Sequence, residues 1–217
     1  MTVPVVDFNL YLITDRNSTR GRDLSRVVEE ALRGGVTALQ LREKDLPGRD
    51  LYAIALELRT LTARYGARLF INDRIDIALA VGADGVHLGS AGMPLHRARR
   101  IVGADRLIGF SCHDREGALA AQDQGADFIT FGPVFFTPSK AAYGDPVGLQ
   151  RLAEVCGLLR IPVFAIGGIN GGNMELPIGA GAQGIALISA IIAAADPREA
   201  ARDLLFRLSE RKDRHHA

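Results

Sequence analysis

Residues 24–44 read LSRVVEEALRGGVTALQLREK, and this stretch contains one complete unit of helix, turn and strand. The apolar residues at positions 24, 27, 28, 31 and 32 recur at the spacing of one helical face, which predicts an amphipathic helix. Gly34 and Gly35 supply the flexible backbone with which helices commonly end. The apolar run at 36–41 then predicts a strand, and polar residues follow it at 42–44. A buried strand that ends in charged residues is the pattern around which the rest of the chain is organised.

The same alternation of a short β-rich run with a helical pattern repeats along the chain. The eight predicted strands are residues 10–14, 36–41, 69–71, 85–88, 107–110, 128–131, 162–166 and 184–188. Alternation of this kind favours a parallel sheet with right-handed crossovers, and eight units in 217 residues fit a (β/α)₈ barrel. A doubly wound open sheet is the alternative, but it would show a glycine fingerprint after the first strand, and residues 13–16 read ITDR. We therefore predict an α/β fold, a single TIM-barrel domain over residues 1–217. Its last helix would run from about Arg198 to Arg211, with a frayed tail over 212–217.

Composition and charge exclude several classes of protein. Hydrophobic residues make up 47% of the chain and charged residues 24%, which is typical of globular proteins rather than disordered or fibrous ones. The net charge of +1 creates no overall field that would recruit nucleic acid or an anionic membrane. No basic start followed by an apolar run precedes the first strand, and no apolar stretch reaches the roughly 20 residues that a bilayer requires. We therefore expect a cytoplasmic protein whose two cysteines are reduced.

Polar residues interrupt the predicted strands almost only at their carboxyl ends. In chain order they are Gln40, Arg42 and Lys44, Asn72 and Asp73, His87, Ser111 and His113, the glycines at 167–168, and Ser189. The sixth strand is followed by the longest irregular segment, residues 132–140. In a barrel these ends share one face, on which active sites lie. The sequence therefore predicts a single polar mouth.

The polar residues after the second and third strands are suited to a diphosphate. Alternation along the strand would place Gln40, Arg42 and Lys44 on one side. Arginine offers a planar fork of donors and lysine a point charge, and two cations with an amide suit a polyanion such as pyrophosphate. Asp73 is predicted to bind a hard cation, because Mg²⁺ takes one or two carboxylates together with substrate phosphates.

A second anion site is predicted after the last strands. The glycines at 167–168 and Ser189 stand where TIM barrels often bind a phosphate, and glycine lets backbone N–H groups approach it closely. Thr137, Ser139 and Lys140 add two hydroxyls and a cation on the long loop. The sequence therefore predicts a mouth that binds a monophosphate beside a diphosphate.

Each of these features also has a purely structural interpretation. Residues 40–44 could be an exposed strand end with a solvated charge run, and Asn72 and Asp73 could cap the following helix. His87 could be a core histidine, and the glycines at 167–168 could only turn a tight loop. Cys112 and His113 could suggest a nucleophile with its base, but adjacent strand residues point to opposite faces, so we do not expect them to bond.

Several motifs together carry a resemblance to a known family. They are YLITD at 11–15, QLREK at 40–44, INDR at 71–74, ADGVHLG at 83–89, GPVF at 132–135, TPSK at 137–140 and AIGGI at 165–169. In this order, over nearly the whole chain, they resemble the thiamine-phosphate synthase family, which also includes thiazole tautomerases of the TenI type. The family fold is the (β/α)₈ barrel. The implied reaction joins a hydroxymethylpyrimidine diphosphate to a thiazole phosphate, giving thiamine phosphate and pyrophosphate, without a nucleic-acid or membrane partner. A homodimer is the assembly that the family suggests.

The resemblance also implies roles for individual residues. The pyrimidine diphosphate would be held by Gln40, Leu41, Arg42, Glu43, Lys44, Asn72, Ser111 and Lys140. The thiazole phosphate would be held by Thr137, Pro138, Ser139, Gly168, Ile188 and Ser189. Catalysis would fall to Arg42, Lys44, Ser111 and Lys140, because positioned cations and hydroxyls stabilise a departing diphosphate. Asp73 would bind Mg²⁺.

The sequence departs from the family pattern at two places that bear on function. Synthases continue after His-Leu-Gly with a glutamine and, two residues later, an aspartate for Mg²⁺, where this chain has Gly92. A non-catalytic phosphate-binding or regulatory barrel is therefore one alternative. A tautomerase is the other, but its histidine in the loop after the sixth strand is replaced here by Pro133. The QLREK run and Lys140, which a tautomerase would not need, are intact, and this favours the synthase.

Overall fold

Eight parallel strands close on themselves into a barrel in which every strand pairs with its neighbours in sequence and β1 pairs with β8. The computed structural model describes residues 5–137 and 145–214, with side chains up to residue 210. The strands are β1 Leu10–Ile13, β2 Ala38–Leu41, β3 Arg68–Asn72, β4 Gly85–Leu88, β5 Leu107–Cys112, β6 Phe128–Phe131, β7 Val163–Ile166 and β8 Gly184–Leu187. All eight predicted strands are present, each within two residues of its predicted bounds. The (β/α)₈ barrel prediction is therefore confirmed.

Helices alternate with the strands and cover the outside of the barrel. Within the described residues they are α1 Leu24–Arg33, α2 Gly48–Arg64, α3 Ile75–Ala80, α4 Leu95–Val102, α5 Arg115–Asp123, α6 Gly148–Leu158, α7 Glu175–Gly179, α8 Ser189–Ile192 and α9 Pro197–Arg214. The last helix begins one residue earlier than predicted and is described through Arg214, and residues 215–217 of the predicted frayed tail lie outside the described residues. In the described part of the chain, no helix is both long and apolar enough to cross a membrane.

The inside of the barrel is filled by aromatic side chains near its amino-terminal end. Phe8, Tyr11, Phe70, Phe128 and Phe164 pack against one another with ring centroids 5.1–6.2 Å apart, several of them edge to face. The alternate strand residues point outward and pack against the helices in a second, larger apolar cluster. This division follows from the two-residue repeat of a strand, and it explains why the strands are apolar on both faces.

Two aspartates tie the strands together at the end opposite the mouth. Asp84 precedes β4 and accepts a hydrogen bond from the Leu69 backbone N–H at 2.8 Å, while its carboxylate also pairs with Arg59 of α2. Asp127 does the same before β6, where it accepts from the Ile108 N–H at 2.6 Å and pairs with Arg99. These carboxylates stabilise the strand register, which leaves the carboxyl ends of the strands as the face for function.

Candidate active site

The end of β2 contributes an amide and a guanidinium to the barrel mouth. Gln40 is buried inside the barrel, where its Nε2 donates to the Tyr11 hydroxyl at 3.1 Å. The backbone N–H of Arg42 donates to Thr14 Oγ1 at 2.9 Å, which ties the ends of β1 and β2 together. The Arg42 guanidinium forms no salt bridge with any residue in the described ranges. The Arg42 charge also acts on His87 inside the barrel, so the amide and the cation lie on the inner side of β2, as the alternation predicted.

Lys44 does not continue this alternation. Strand β2 ends at Leu41, and residues 44–45 form a turn, so the two-residue repeat stops before it reaches Lys44. Lys44 lines a cavity together with Leu41 and Glu43, the residues of the opposite face. The prediction that Gln40, Arg42 and Lys44 share one side is therefore wrong for Lys44. The side chain is exposed, and within the described chain no carboxylate pairs with it.

Glu43 is buried and is held by a single arginine. Its carboxylate accepts from the Arg16 backbone N–H at 3.1 and 3.2 Å and from the Arg16 guanidinium at 3.1 Å. The same guanidinium also binds Asp45 through both of its terminal nitrogens. Arg16 thus engages the carboxylates on both sides of Lys44, which leaves the Lys44 ammonium available to an anionic ligand. The Glu43 carboxylate thus borders the cavity while it is bound by Arg16.

A cavity of about 200 Å³ lies where the ends of β2 and β3 meet the start of α2. Its lining residues are Leu41, Glu43, Lys44, Leu46, Leu51, Asn72 and Asp73. The Lys44 ammonium, the Asn72 amide and the Asp73 carboxylate therefore face the same space. Neither of the two charged groups forms a salt bridge among the described residues. Most of the residues predicted for the second and third strands meet here, whereas Gln40 and Arg42 are not part of this lining.

Asp73 has an unusual backbone conformation that directs its carboxylate toward the loop after β4. Its φ of 57° lies in the left-handed region, which residues other than glycine seldom adopt. The carboxylate accepts from Asn72 Nδ2 at 2.8 Å and from the Gly89 N–H at 3.3 Å. The structure does not support the helix-cap interpretation, because α3 begins after Arg74 and has no side-chain cap. A strained backbone at a cavity is a common feature of functional sites.

Position 92 directly faces this carboxylate. A Cβ atom added to Gly92 would lie 2.8 Å from Asp73 Oδ1. The departure from the family pattern thus falls at the point where a second carboxylate would adjoin the first. Among the described residues no cluster of three or more histidine, cysteine or carboxylate side chains could hold a metal ion alone. Asp73 fits Mg²⁺ only in the mode in which one carboxylate and substrate phosphates share the ion.

His87 and Ser111 belong to a polar layer just below the mouth. His87 Nε2 lies 3.0 Å from Ser111 Oγ, and the Thr130 hydroxyl contacts both. Burial, reinforced by the positive charge of Arg42, lowers the pKa of His87 to about 3. The imidazole is therefore neutral at physiological pH and only weakly basic. Ser111 is partly exposed and forms the top of this layer.

The two glycines after β7 are required by the packing of the neighbouring loop. Gly167 and Gly168 both have positive φ, and a Cβ atom at Gly167 would lie 2.5 Å from the Cβ of Pro133. A Cβ atom at Gly168 would lie 2.7 Å from the Phe136 carbonyl oxygen. The tight-turn interpretation is thus supported, and the same packing brings the loop after β6 beside the predicted phosphate site.

The remaining residues of the predicted phosphate site are only partly described. Ile188 immediately precedes the short helix α8, whose first residue is the exposed Ser189. Thr137 is half-buried in the loop after β6. Pro138, Ser139 and Lys140 lie outside the described residues. Of the predicted phosphate site, the structure therefore describes the residues that follow β7 and β8, together with Thr137.

Cys112 and His113 do not form a nucleophile and base pair. The His113 Nδ1 donates to the Gly132 carbonyl oxygen, on the opposite side of the strand from Cys112. Burial, together with the nearby charge of Asp114, raises the pKa of the Cys112 thiol to about 12. The expectation that these neighbours do not bond is confirmed.

Sequence reasoning missed three residues that shape the mouth. Tyr11 and Thr130 complete the polar layer around His87, and Arg16 holds the turn that carries Lys44. Thr130 had a detectable signal, since it is the one polar residue of the otherwise apolar strand β6. No sequence signal indicated the role of Arg16, because its partners Glu43 and Asp45 are 27 and 29 residues away in the chain.

Similarity to known proteins extends along most of the chain. A family model for thiamine monophosphate synthase matches residues 10–191. A Geobacter sulfurreducens protein to which thiamine-phosphate synthase activity is provisionally ascribed is 64% identical, over 95% of this chain and 97% of its own length. The thiamine-phosphate synthase of Clostridium novyi is 46% identical, over 92% and 98%. The solved thiamine phosphate pyrophosphorylase from Pyrococcus furiosus has 42% identity and a TM-score of 0.85, over 93% of this chain and 96% of that one.

Proposed function

Since the chain belongs to the thiamine monophosphate synthase family, we propose that it joins a hydroxymethylpyrimidine diphosphate to a thiazole phosphate. The bond between the pyrimidine methylene carbon and the diphosphate oxygen breaks, and the diphosphate leaves with the electron pair. The thiazole nitrogen then forms the new bond to that carbon. The products are thiamine phosphate and pyrophosphate.

One observation carries this proposal: among the described residues, the two cations Arg42 and Lys44 have no carboxylate partner, and His87 is only a weak base. The His87 ring is held neutral by its low pKa. Departure of a diphosphate requires stabilisation of negative charge rather than removal of a proton. The arrangement suits this reaction better than it suits proton transfer in a tautomerase, whose histidine is replaced by Pro133.

The residues of the second, third and fifth strands are assigned to the diphosphate. Arg42 would bind its oxygens through paired N–H donors, and Lys44 would add a point charge from the cavity side. Asn72 and Ser111 would donate hydrogen bonds to it from β3 and β5. Gln40 would orient the pyrimidine, and Lys140 would approach from the loop after β6.

Mg²⁺ is proposed as the cofactor, held by Asp73. When bound with the diphosphate, the ion would neutralise part of the charge that develops on the leaving group. Asn72 supports this role by orienting the carboxylate with its amide at 2.8 Å. Glu43 would complete the negative wall of the cavity while Arg16 holds it in place.

The thiazole phosphate is assigned to the loops after β6, β7 and β8. Thr137, Pro138 and Ser139 would provide one side of this site, and Gly168, Ile188 and Ser189 the other. The packing of the loop after β6 against Gly168 supports the assignment, because it makes the two loops neighbours. The two phosphate sites would then face each other across the mouth.

Pyrophosphate release tests the proposed function. Purified protein is mixed with both substrates and excess Mg²⁺, and we expect pyrophosphate and thiamine phosphate to form in equal amounts. Omitting the thiazole phosphate serves as the control and should abolish thiamine phosphate formation. The absence of turnover in excess Mg²⁺, with binding of the pyrimidine diphosphate retained, would support a non-catalytic binding protein instead.

Restoring a carboxylate at position 92 should strengthen metal binding. In Gly92→Asp the new side chain starts 2.8 Å from Asp73 Oδ1, so two carboxylates would repel each other without metal and share the ion with it. We expect the variant to melt at a lower temperature in a chelator and to bind Mg²⁺ about tenfold more tightly, or about 1.4 kcal/mol. Calorimetric titration of the protein with Mg²⁺ measures the affinity. Gly92→Asn is the matched control, and equal titrations for both variants would contradict the prediction.

A further inference from the structure

Five polar side chains form a layer across the barrel between the aromatic cluster and the mouth. They are Tyr11, Gln40, His87, Ser111 and Thr130. Four of these side chains have at most 2% of their surface exposed, and Ser111 alone is partly open to the mouth. In a buried layer each donor must meet an acceptor, because an unpaired polar group costs free energy. Within the described residues no buried side-chain nitrogen or oxygen lacks a partner.

The direction of the hydrogen bonds follows from the Tyr11 hydroxyl. It accepts from Gln40 Nε2 at 3.1 Å, so its own proton must be given to an acceptor. His87 Nδ1, at 3.5 Å, is the acceptor that the described residues provide. An imidazole nitrogen that accepts a hydrogen bond carries no proton. The ring proton of neutral His87 is therefore on Nε2.

The same reasoning extends from His87 to the mouth. The protonated Nε2 donates to Ser111 Oγ at 3.0 Å, and the Thr130 hydroxyl donates to the same oxygen at 3.3 Å. The oxygen lone pairs of Ser111 are then both used. Its hydroxyl proton is left to point into the mouth, toward the space assigned to the diphosphate.

We propose that Tyr11 and His87 are positioning residues, which set the hydrogen-bond direction so that Ser111 meets the diphosphate as a donor. The identity of the acceptor rests on the proposed function, whereas the direction of the bonds does not. A free serine hydroxyl rotates and can accept as well as donate. Orienting it before substrate binds removes the reorganisation that would otherwise accompany departure of the diphosphate.

Nuclear magnetic resonance of the full ¹⁵N-labelled chain tests the bond direction without substrate. Long-range ¹H–¹⁵N correlations distinguish a histidine protonated on Nε2 from one protonated on Nδ1. The signals of His87 are identified among those of the five histidines by their loss in His87→Gln. We expect the Nε2–H form for His87 in the wild type and a mixture of both forms in Tyr11→Phe. An Nδ1–H ring in the wild type would overturn the proposal, whatever the enzyme assay shows.

Kinetics of matched variants test the consequence for catalysis. The amide of glutamine can take the place of Nε2, and that of asparagine the place of Nδ1, so only His87→Gln can still donate to Ser111. We expect kcat within about threefold of wild type for His87→Gln, and about tenfold lower for His87→Asn and Tyr11→Phe, with KM nearly unchanged. Thermal melting checks that each variant folds, and Tyr11→Phe preserves the ring that fills the barrel. Equal kcat values for the glutamine and asparagine variants would overturn the proposal.

A different result would contradict the proposed function alone. In that case the wild-type protein would carry the Nε2–H form of His87 and bind pyrophosphate, but it would release no pyrophosphate from the substrates.

Discussion

Replacing Arg42 with glutamine is expected to lower kcat/KM for the pyrimidine diphosphate by about 10²–10³-fold. The guanidinium has no salt-bridge partner among the described residues, and its backbone N–H is already held by Thr14. Its charge is therefore available to the departing diphosphate, and its removal should leave the fold intact. Steady-state kinetics with both substrates measure the change, and the melting temperature measures the fold.

The control for this prediction is an arginine of the same charge that lies far from the mouth. Arg100 is exposed near the end of α4, on the side of the barrel opposite the active site, and Arg100→Gln should leave the kinetics unchanged. Arg42→Lys should recover part of the activity, because lysine restores the charge but not the paired donors. An Arg42→Gln enzyme within threefold of wild type would remove Arg42 from the mechanism.

Replacing Phe70 with alanine is expected to reduce the free energy of unfolding by about 3–5 kcal/mol. Phe70 is fully buried inside the barrel, where its ring contacts Phe8, Tyr11 and Phe128 at centroid distances of 5.3–5.8 Å. Truncation would leave a cavity at the centre of this cluster, because Gly85 next to it has no side chain to fill the space. Urea denaturation followed by circular dichroism measures the loss.

The matched control for Phe70 is a phenylalanine on the outside of the molecule. Phe206 of α9 is 58% exposed, so Phe206→Ala should change the free energy of unfolding by less than about 0.5 kcal/mol. Comparable destabilisation by the two substitutions would show that the aromatic cluster does not dominate the stability of the barrel interior. Because Phe70 lies below the polar layer, folded Phe70→Ala protein should keep the KM of the wild type.

Local patterns in the sequence were sufficient for the architecture. Strands are short apolar runs and helices show a repeat of three to four residues, and both signals lie within a dozen neighbouring positions. The alternation of the two, repeated eight times, restricts the topology to very few choices. The polar residues at the carboxyl ends of the strands then identified the mouth, since parallel strands bring those ends to one face. The family resemblance added the reaction and the identity of its substrates.

Only the tertiary structure decided which of these residues meet, and how. Lys44 does not lie on the same side as Gln40, because strand β2 ends at Leu41 and no sequence pattern marks that end. Glu43 is bound to Arg16 across 27 residues, and Tyr11 approaches His87 across 76. Such contacts depend on the strand register and on closure of the barrel, which bring together side chains that share no local pattern. The sequence by itself therefore determined the barrel and its polar face, whereas hydrogen-bond partners and directions emerged only from the closed structure.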